Sequence, residues 1–401
     1  MRIGIVVDNE FNQDIRVRNE ALALQKDGHE VFILCFDFGS QYGKEYQGLK
    51  IYRWKLNKKY KNILFALFHF INLYSYLWAK KIKTFVANNH IEILHVHDLY
   101  MAKAGYLAKK NIKIPLVLDL HENYSYAVEG YKWMYKKPQT YIIQPNKWKK
   151  IEGRYLAYAD TIIALSQTFK NYLIEKHPFL KENNIIVYPN APDVAKLQSY
   201  EINTNIIPKG NDFVLFYFGG ISKRRGVFLV IEALKELIKS IPNIKLLLIG
   251  PVDKAEKEAF MHAIKQDQIK QHIIFYPWKD ISLLPSFINY SDICLSPIEK
   301  NPQHESGIAN KVFQYMLFER AVLVSNCGPQ AKVVTESDAG LVHQWDSITD
   351  FVEKVTQLYS NKERTHKMGI NGRKAVIEKY NQKILIQALL DYYKKAVSSE
   401  S

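Results

Sequence analysis

Two short stretches of this sequence concentrate residues able to hold anions. In the first, an apolar run (DFVLFYF) ends in Gly219-Gly220 and continues as Ile221-Ser222-Lys223-Arg224-Arg225-Gly226. Glycines let a backbone approach a ligand, and a helix starting near Val227 would point its positive end at the same place. Three consecutive cations beside such a turn suit a diphosphate. Arg225, next to Gly226 and nearest the helix start, is the best placed; Lys223 and Arg224 read equally well as a solvated basic turn. The second stretch follows the apolar run DICLSPI and contains Gln303-His304-Glu305-Ser306-Gly307-Ile308-Ala309-Asn310-Lys311. Its small loop leads into a helix whose first amides can bind a second anion, with Asn310 as the expected cap. Lys311 and Gln314 are three apart and share one helical face. Lys311 suits a phosphate, Gln314 a ribose or sugar hydroxyl. Glu305, at the loop's start, suits hydrogen-bonding sugar hydroxyls.

The first half of the chain carries polar residues where strand-like runs end. HVHD supplies His95, His97 and Asp98; DLHE supplies His121 and Glu122. His95 lies on the same strand face as His97 and reads as a core histidine. Histidine and glutamate also ligate metals, but no HExxH is present and no third ligand stands at a telling spacing, so no metal is expected. After the first strand, a polar loop from Asp8 leads into a helix. There Arg16 suits an anionic donor or acceptor, or an ion pair with Asp14 or Glu20. No GxSxG elbow, Cys–His pair or hydrolase-like carboxylate pair stands out.

The elements that must position these residues alternate along the chain. RIGIVVD, HEVFILCF, IEILHVH, IPLVLDL, DTIIALS and NIIVYPN read as strands separated by helices. They are short and apolar on both faces, the mark of a parallel sheet buried under helices. The pattern breaks over the polar, proline-flanked residues 192–210 and restarts at DFVLFYFGG. The expectation is α/β: two doubly wound Rossmann-like domains. Residues 1–195 form the first domain, 196–210 a linker and 211–385 the second. Residues 386–401 form a C-terminal helix that packs back on the first domain. Ligands of open α/β sheets bind beyond the carboxyl ends of the strands, so function is expected in a cleft where the two domains face each other.

The chain has 401 residues, with 55 Lys and Arg against 40 Asp and Glu. The net charge of +15 favours an anionic partner and, with 47% hydrophobic residues, the composition excludes a disordered chain. Cys35, Cys294 and Cys327 are far apart and two lie in strand-like runs, so buried inert thiols and a reducing compartment are expected. The expected location is the cytoplasm, peripherally on the inner face of the cell membrane. From Asn62 to Ala79 no residue carries a fixed charge, but Asn62, His69, Asn72, Tyr76 and Lys80 fall along one stripe. That predicts one amphipathic helix, not a span. Tyr131 to Arg154 holds seven Lys or Arg and one Glu, interleaved with Tyr and Trp. Helix and basic segment together predict a surface for anionic lipid. No nucleic-acid motif is present, and no nucleic-acid partner is expected.

Taken together, these segments resemble the glycosyltransferases of the GT-B fold, in particular the retaining glycosyltransferase family four. DIRVRNEALALQKDGHEV is similar to that family's first helix and second strand, and ILHVHD and PLVLDLHE to its central strands. ADTIIALSQ and IIVYPNAPDV resemble the end of its first domain. YFGGISKRRG resembles its donor-side glycine turn, and NKVFQYMLFERAVLVS its nucleotide-sugar helix. The resemblance implies transfer of a sugar from a nucleotide-sugar donor, bound by the domain of residues 211–385, to a glycan or lipid-linked acceptor on the side of residues 1–195, with retention and without a metal or other cofactor, in the synthesis of surface polysaccharide or glycoconjugate. It places Arg225 and Lys311 on the diphosphate, Glu305 on the donor sugar, Gln314 on the ribose and His121 near the reacting sugar. Gly219, Gly220, Lys223, Ser306, Gly307, Ile308 and Asn310 would complete the donor site. Arg16, His97, Asp98 and Glu122 would face the acceptor.

The chain departs from the family pattern twice. The family's paired glutamates stand eight apart; eight after Glu305 is Phe313, and the helix carries Gln314 one residue further on. An amide both donates and accepts, so ribose binding is retained. Gly220 stands where many members have an arginine. Two rival readings follow: a catalytically silent nucleotide- or glycan-binding partner subunit, and a nucleotide-sugar epimerase, which would turn over without an acceptor.

Overall fold

The computed structural model describes residues 1–40, 42–68, 72–130, 146–208 and 210–398. The chain divides into two compact units, one of residues 1–189 with 386–401 and one of residues 190–385.

The first unit holds strands β1 (Arg2–Val6), β2 (Glu30–Asp37), β3 (Glu45–Tyr46), β4 (Leu49–Lys55), β5 (Ile93–His97), β6 (Leu116–Asp119), β7 (Thr161–Ala164) and β8 (Ile185–Val187). They form one sheet in the order β3-β4-β2-β1-β5-β6-β7-β8, parallel except for the β3–β4 pair. The order reverses between β1 and β5, where the sheet's ligand crevice belongs. Register matters here: His97 at the end of β5 lies opposite Asp119 at the end of β6. The apolar strands are buried on both faces, which each fully buried Ile, Val or Leu favours by roughly 1.5–3 kcal/mol.

The region expected as one amphipathic helix is divided. Helices Lys58–Ala66 and Leu73–Asn89 are separate, and Asn72 caps the second by accepting from Ser75 N–H at 3.2 Å. The polar residue read as part of a stripe is thus a start signal. Tyr74, Trp78 and Ile82 are buried in the unit's core. Among the described residues no helix is long and apolar enough to cross a membrane. Of the basic segment, residues 131–145 lie outside the described residues, as does His69.

The second unit holds β9 (Phe213–Phe218), β10 (Ile244–Ile249), β11 (Ile273–Tyr276), β12 (Ile293–Ser296), β13 (Ala321–Ser325) and β14 (Gly340–His343). All pairs are parallel, in the order β11-β10-β9-β12-β13-β14, and the order reverses between β9 and β12. One core lies against helix Val227–Ser240, whose Val227, Val230, Ile231, Leu234 and Leu237 recur every three or four residues. The other gathers Val312, Phe313 and Tyr315 of helix Asn310–Leu317. The stretch expected as a linker is not free: Leu197 is buried in this second core, Ile206 and Ile207 pack on it, and Asn203 N–H donates to Ser286 Oγ. Residues 386–401 belong to the first unit, where Leu389 and Tyr393 are buried. All three cysteines are free and buried.

Candidate functional site

In the second unit the two anion-binding stretches follow β9 and β12, the strands at which the order reverses. Gly219 adopts φ 127° and Gly226 φ 75°, backbone conformations that side chains disfavour. A Cβ on Gly226 would sit 1.7 Å from the Pro297 carbonyl oxygen, so only glycine lets this turn lie against the end of β12. The turn is fastened elsewhere: Lys223 N–H donates to Glu256 Oε2 at 2.6 Å, and Glu299 N–H to the Arg224 carbonyl at 3.0 Å. Arg224 itself donates to Gln303 Oε1 at 2.8 Å, tying the two stretches together. Tyr217 Oη donates to the Gly220 carbonyl at 2.6 Å and shapes the glycine turn from beneath. Lys223 and Gly220 are exposed, whereas Arg225 is half-buried.

The second stretch forms a short 3-10 turn, His304–Ser306, before helix Asn310–Leu317. Ala309, not Asn310, occupies the cap position, without a side-chain bond; Asn310 is the exposed first helical residue. The helix's first amides are therefore left to other acceptors. Ser306 is buried and donates to the Gln303 carbonyl at 2.6 Å, so it shapes the loop. Gly307 and Ile308 extend the loop, partly exposed. Glu305 Oε1 accepts from Gly328 N–H at 2.9 Å, which orients its carboxylate. Lys311 is buried, with Nζ 3.7 Å from the Tyr217 ring centre. Burial first, and Arg225's charge second, push the Lys311 ammonium well below its ordinary value of 10.5. Gln314, half-buried, shares that helix. His304 is pinned under the loop by the Glu299 carbonyl and pushed down to about 4 by burial.

The first unit brings its polar residues to the ends of β5 and β6. Arg16 is not available to an anionic ligand as expected. Its Nε lies 3.0 Å from both Glu20 and Asp119, and its Nη2 donates to Asp119 Oδ1 at 3.0 Å and to the Tyr188 carbonyl at 3.1 Å. Its guanidinium also lies on the Tyr188 ring. Arg16 is a buried structural cation, and Asp119 beside it is held well below the carboxylate range. His97 is fully buried, not acceptor-facing, and its Nδ1 lies 2.9 Å from Nε2 of His121. His121 is about one-fifth exposed. His95 stacks on His97, as a core histidine would, and its Nδ1 bonds the hydroxyl of Tyr393 at 2.9 Å. Asp98, at φ 72°, accepts from Tyr100 at 3.0 Å, and Glu122 is half-buried beside His121.

Glu20, His95, His97 and Asp119 put one donor atom each within 4.8 Å of one another. They do not suit a metal. Arg16 already pairs with both carboxylates, and a divalent ion would be set against a buried guanidinium. The ion pair of Arg16 with Glu20 was among the sequence expectations; Asp119 as its second partner was missed. The Arg16–Glu20 spacing of four was a visible signal; the approach of Asp119, 103 residues from Arg16, was not.

Residues 13–196 match the family model described as Glycosyltransferase Family 4, and residues 200–375 match Glycosyl transferases group 1. The chain is 23% identical over 242 residues to the capsular polysaccharide biosynthesis glycosyltransferase CapM of Staphylococcus aureus. That match takes in 59% of this chain and 61% of CapM, about three-fifths of the relative's length. Sucrose-phosphate synthase from Thermosynechococcus elongatus superposes with a TM-score of 0.77 at 15% identity, over all of both chains. Anabaena HepE, solved in complex with UDP, superposes at 0.74 and 13% identity, over 98% of this chain and all of the other. At such identities the superpositions establish the fold.

Proposed function

Because this chain belongs to the GT-B glycosyltransferases of family four and group 1, we propose that it moves a sugar from a nucleotide-sugar donor to a glycan acceptor. The proposal includes retention at the anomeric carbon and independence of a metal ion. One observation carries it: Lys311 and the Arg225 turn stand together beyond the strands where the second sheet's order reverses.

The chemistry follows from charge. As the glycosidic bond to the diphosphate breaks, negative charge grows on the leaving oxygen. The Arg225 guanidinium, the Lys311 ammonium and the amides at Asn310 would stabilise it there, as a metal ion otherwise does. Glu305, held by Gly328 N–H, would accept from hydroxyls of the donor sugar, and Gln314 would bond the ribose. His121 would meet the reacting sugar. A relative named for capsular polysaccharide biosynthesis and a structural neighbour solved with UDP support this reading.

Titration calorimetry with UDP, GDP, ADP, dTDP and CMP, with and without Mg²⁺, tests it. Micromolar binding of one nucleotide, indifferent to Mg²⁺ and lost in Arg225→Ala, is the expected result. No binding by folded wild type at millimolar nucleotide would overturn the donor site and leave a silent partner subunit.

A membrane-proximal, lipid-linked acceptor has one observation in its favour. Tyr60, Ile63 and Leu67, with Leu73 and Tyr76 of the next helix, are exposed beside Lys58 and Lys59. Apolar side chains flanked by lysines suit an anionic interface. Co-sedimentation with anionic but not neutral liposomes at low salt is expected; no sedimentation with either would exclude it.

A further inference from the structure

The contact between His97 and His121 is a hydrogen bond between two imidazoles, so one proton lies between the two nitrogens. His97 offers Nδ1 and His121 offers Nε2, 2.9 Å apart. Once the donor is known, both tautomers are fixed. The other nitrogen of His97 decides which one donates. Nε2 is buried without a hydrogen-bond partner, 3.9 Å from Glu20 Oε2. Neither Glu20 oxygen makes a hydrogen bond either; Arg16 Nε lies 3.0 Å from Oε1 as an ion pair.

The charges do not balance as they stand. Arg16 contributes one positive charge, while Glu20 and Asp119 offer two negative ones, all of them buried. A buried unpaired charge is costly, and a proton on one carboxyl removes it. Asp119 takes two contacts from Arg16 and is held ionised. Glu20 is pushed well up by burial and by the charge of Asp119. The proton therefore belongs on Glu20. A buried O–H needs an acceptor, and two stand near Glu20: the Asp119 carboxylate and the unpaired Nε2 of His97, 3.9 Å from Oε2. Only a His97 protonated on Nδ1 carries a lone pair there.

The remaining groups around the pair agree. His95 stacks on His97 with ring centres 4.5 Å apart and is kept neutral, pushed down to about 4 by burial. Asp119 Oδ2 stands 3.6 Å from His97 Nδ1 and 3.9 Å from His121 Nε2, drawing a proton toward the space between them. Tyr393 is engaged with His95. Tyr188 lies against the Arg16 guanidinium, its ring centre 4.5 Å away. Asp14 acts on Glu20, and Asp98 faces His121, as more distant charges.

We infer that His97, backed by Glu20, is a positioning residue: it donates from Nδ1 to His121 Nε2, so that His121 holds its own proton on Nδ1 and presents that N–H as a fixed donor to an oxygen of the bound sugar. The last clause rests on the transferase reading; the tautomer does not.

The test is nitrogen-15 NMR on the full chain labelled at histidine, at pH 7.5 with no ligand, with His121 assigned through His121→Gln. Wild type should show His121 protonated on Nδ1 alone. His97→Asn places an amide donor where Nδ1 was and should keep that tautomer. Glu20→Gln, which retains a neutral donor, should keep it too. His97→Leu should release His121 to exchange between tautomers. A wild-type His121 protonated on Nε2 or on both nitrogens would overturn the inference, as would a His97→Leu spectrum unchanged at His121. If His97→Leu does not fold, wild type and His97→Asn decide. No ligand is used, so nucleotide binding can fail while the tautomer stands, and the reverse.

Discussion

Lys311 rests on the ring of Tyr217, its ammonium nitrogen 3.7 Å from the ring centre and buried from solvent. The ring face is a weak substitute for water, and Arg225 repels a second positive charge. An arriving anion would therefore raise the depressed Lys311 value.

That gives a first prediction. Binding of a nucleoside diphosphate should be accompanied by uptake of up to about one proton, because the anion raises the depressed Lys311 value. Affinity should rise as pH falls, because the bound state holds the proton more tightly. Calorimetry in buffers of different ionisation enthalpy reads the proton count directly. Lys311→Met should abolish the uptake and weaken binding by about 1.5–3 kcal/mol. Zero uptake in wild type would contradict the account.

Gly226→Ala should be severe for a residue so small. Its φ of 75° and the Pro297 carbonyl leave no room for Cβ. The expected loss is roughly 2–5 kcal/mol, from backbone strain and overpacking together. Urea unfolding measures it. A loss under about 1 kcal/mol would mean that the turn is not clamped on β12.

Stability should fall on the acid side. His95, His304 and His343 are each pushed by burial from 6.5 to about 4. Their folded values lie below the unfolded ones, so their contribution is complete above 6.5 and is lost as pH falls through 4. Each is worth at most about 3 kcal/mol. His343→Asn keeps a donor for the Gln344 carbonyl and removes one titrating ring. Thermal melts from pH 7.5 to 4 should show a steep decline that is shallower in this variant.

Glu305→Gln separates holding from chemistry. The amide oxygen can still accept from Gly328 N–H, so stability should change by less than about 0.5 kcal/mol. Sugar transfer should drop on the order of 10²–10³-fold if the carboxylate's charge acts on the donor. An unchanged rate would remove Glu305 from the reaction.

The strands were legible because a sheet buried on both faces needs short, mostly apolar runs, and IGIV in β1, FVLFYF in β9 and LLLI in β10 supply them. Helix Lys362–Glu378 was not legible, since it is polar and contains Gly369 and Gly372. Those glycines are there for packing: a Cβ on Gly369 would lie 2.2 Å from the Glu319 carbonyl oxygen. Local propensity lost to close approach. Asn72 was misread for a related reason, because a cap and a polar stripe look alike until the backbone is known. In the site, Arg225, Lys311 and Glu305 stood out by type and neighbours. Arg16 did not reveal its partner, because the β5–β6 register that places Asp119 is set across the sheet and not along the chain.

The first unit begins at residue 1 but borrows its final piece from the far end of the chain. Tyr393, on helix Gln387–Ser398, caps His95 beneath the paired histidines, and Leu389 is buried beside it. During synthesis a ribosome must make the whole second unit before this helix emerges. Until then the first sheet waits with His95 uncovered, even though domains usually fold in order of emergence. The buried face under the His97–His121 pair is thereby completed only by a segment made after the second unit, and a chain clipped before Tyr393 would leave His95 without its hydroxyl partner.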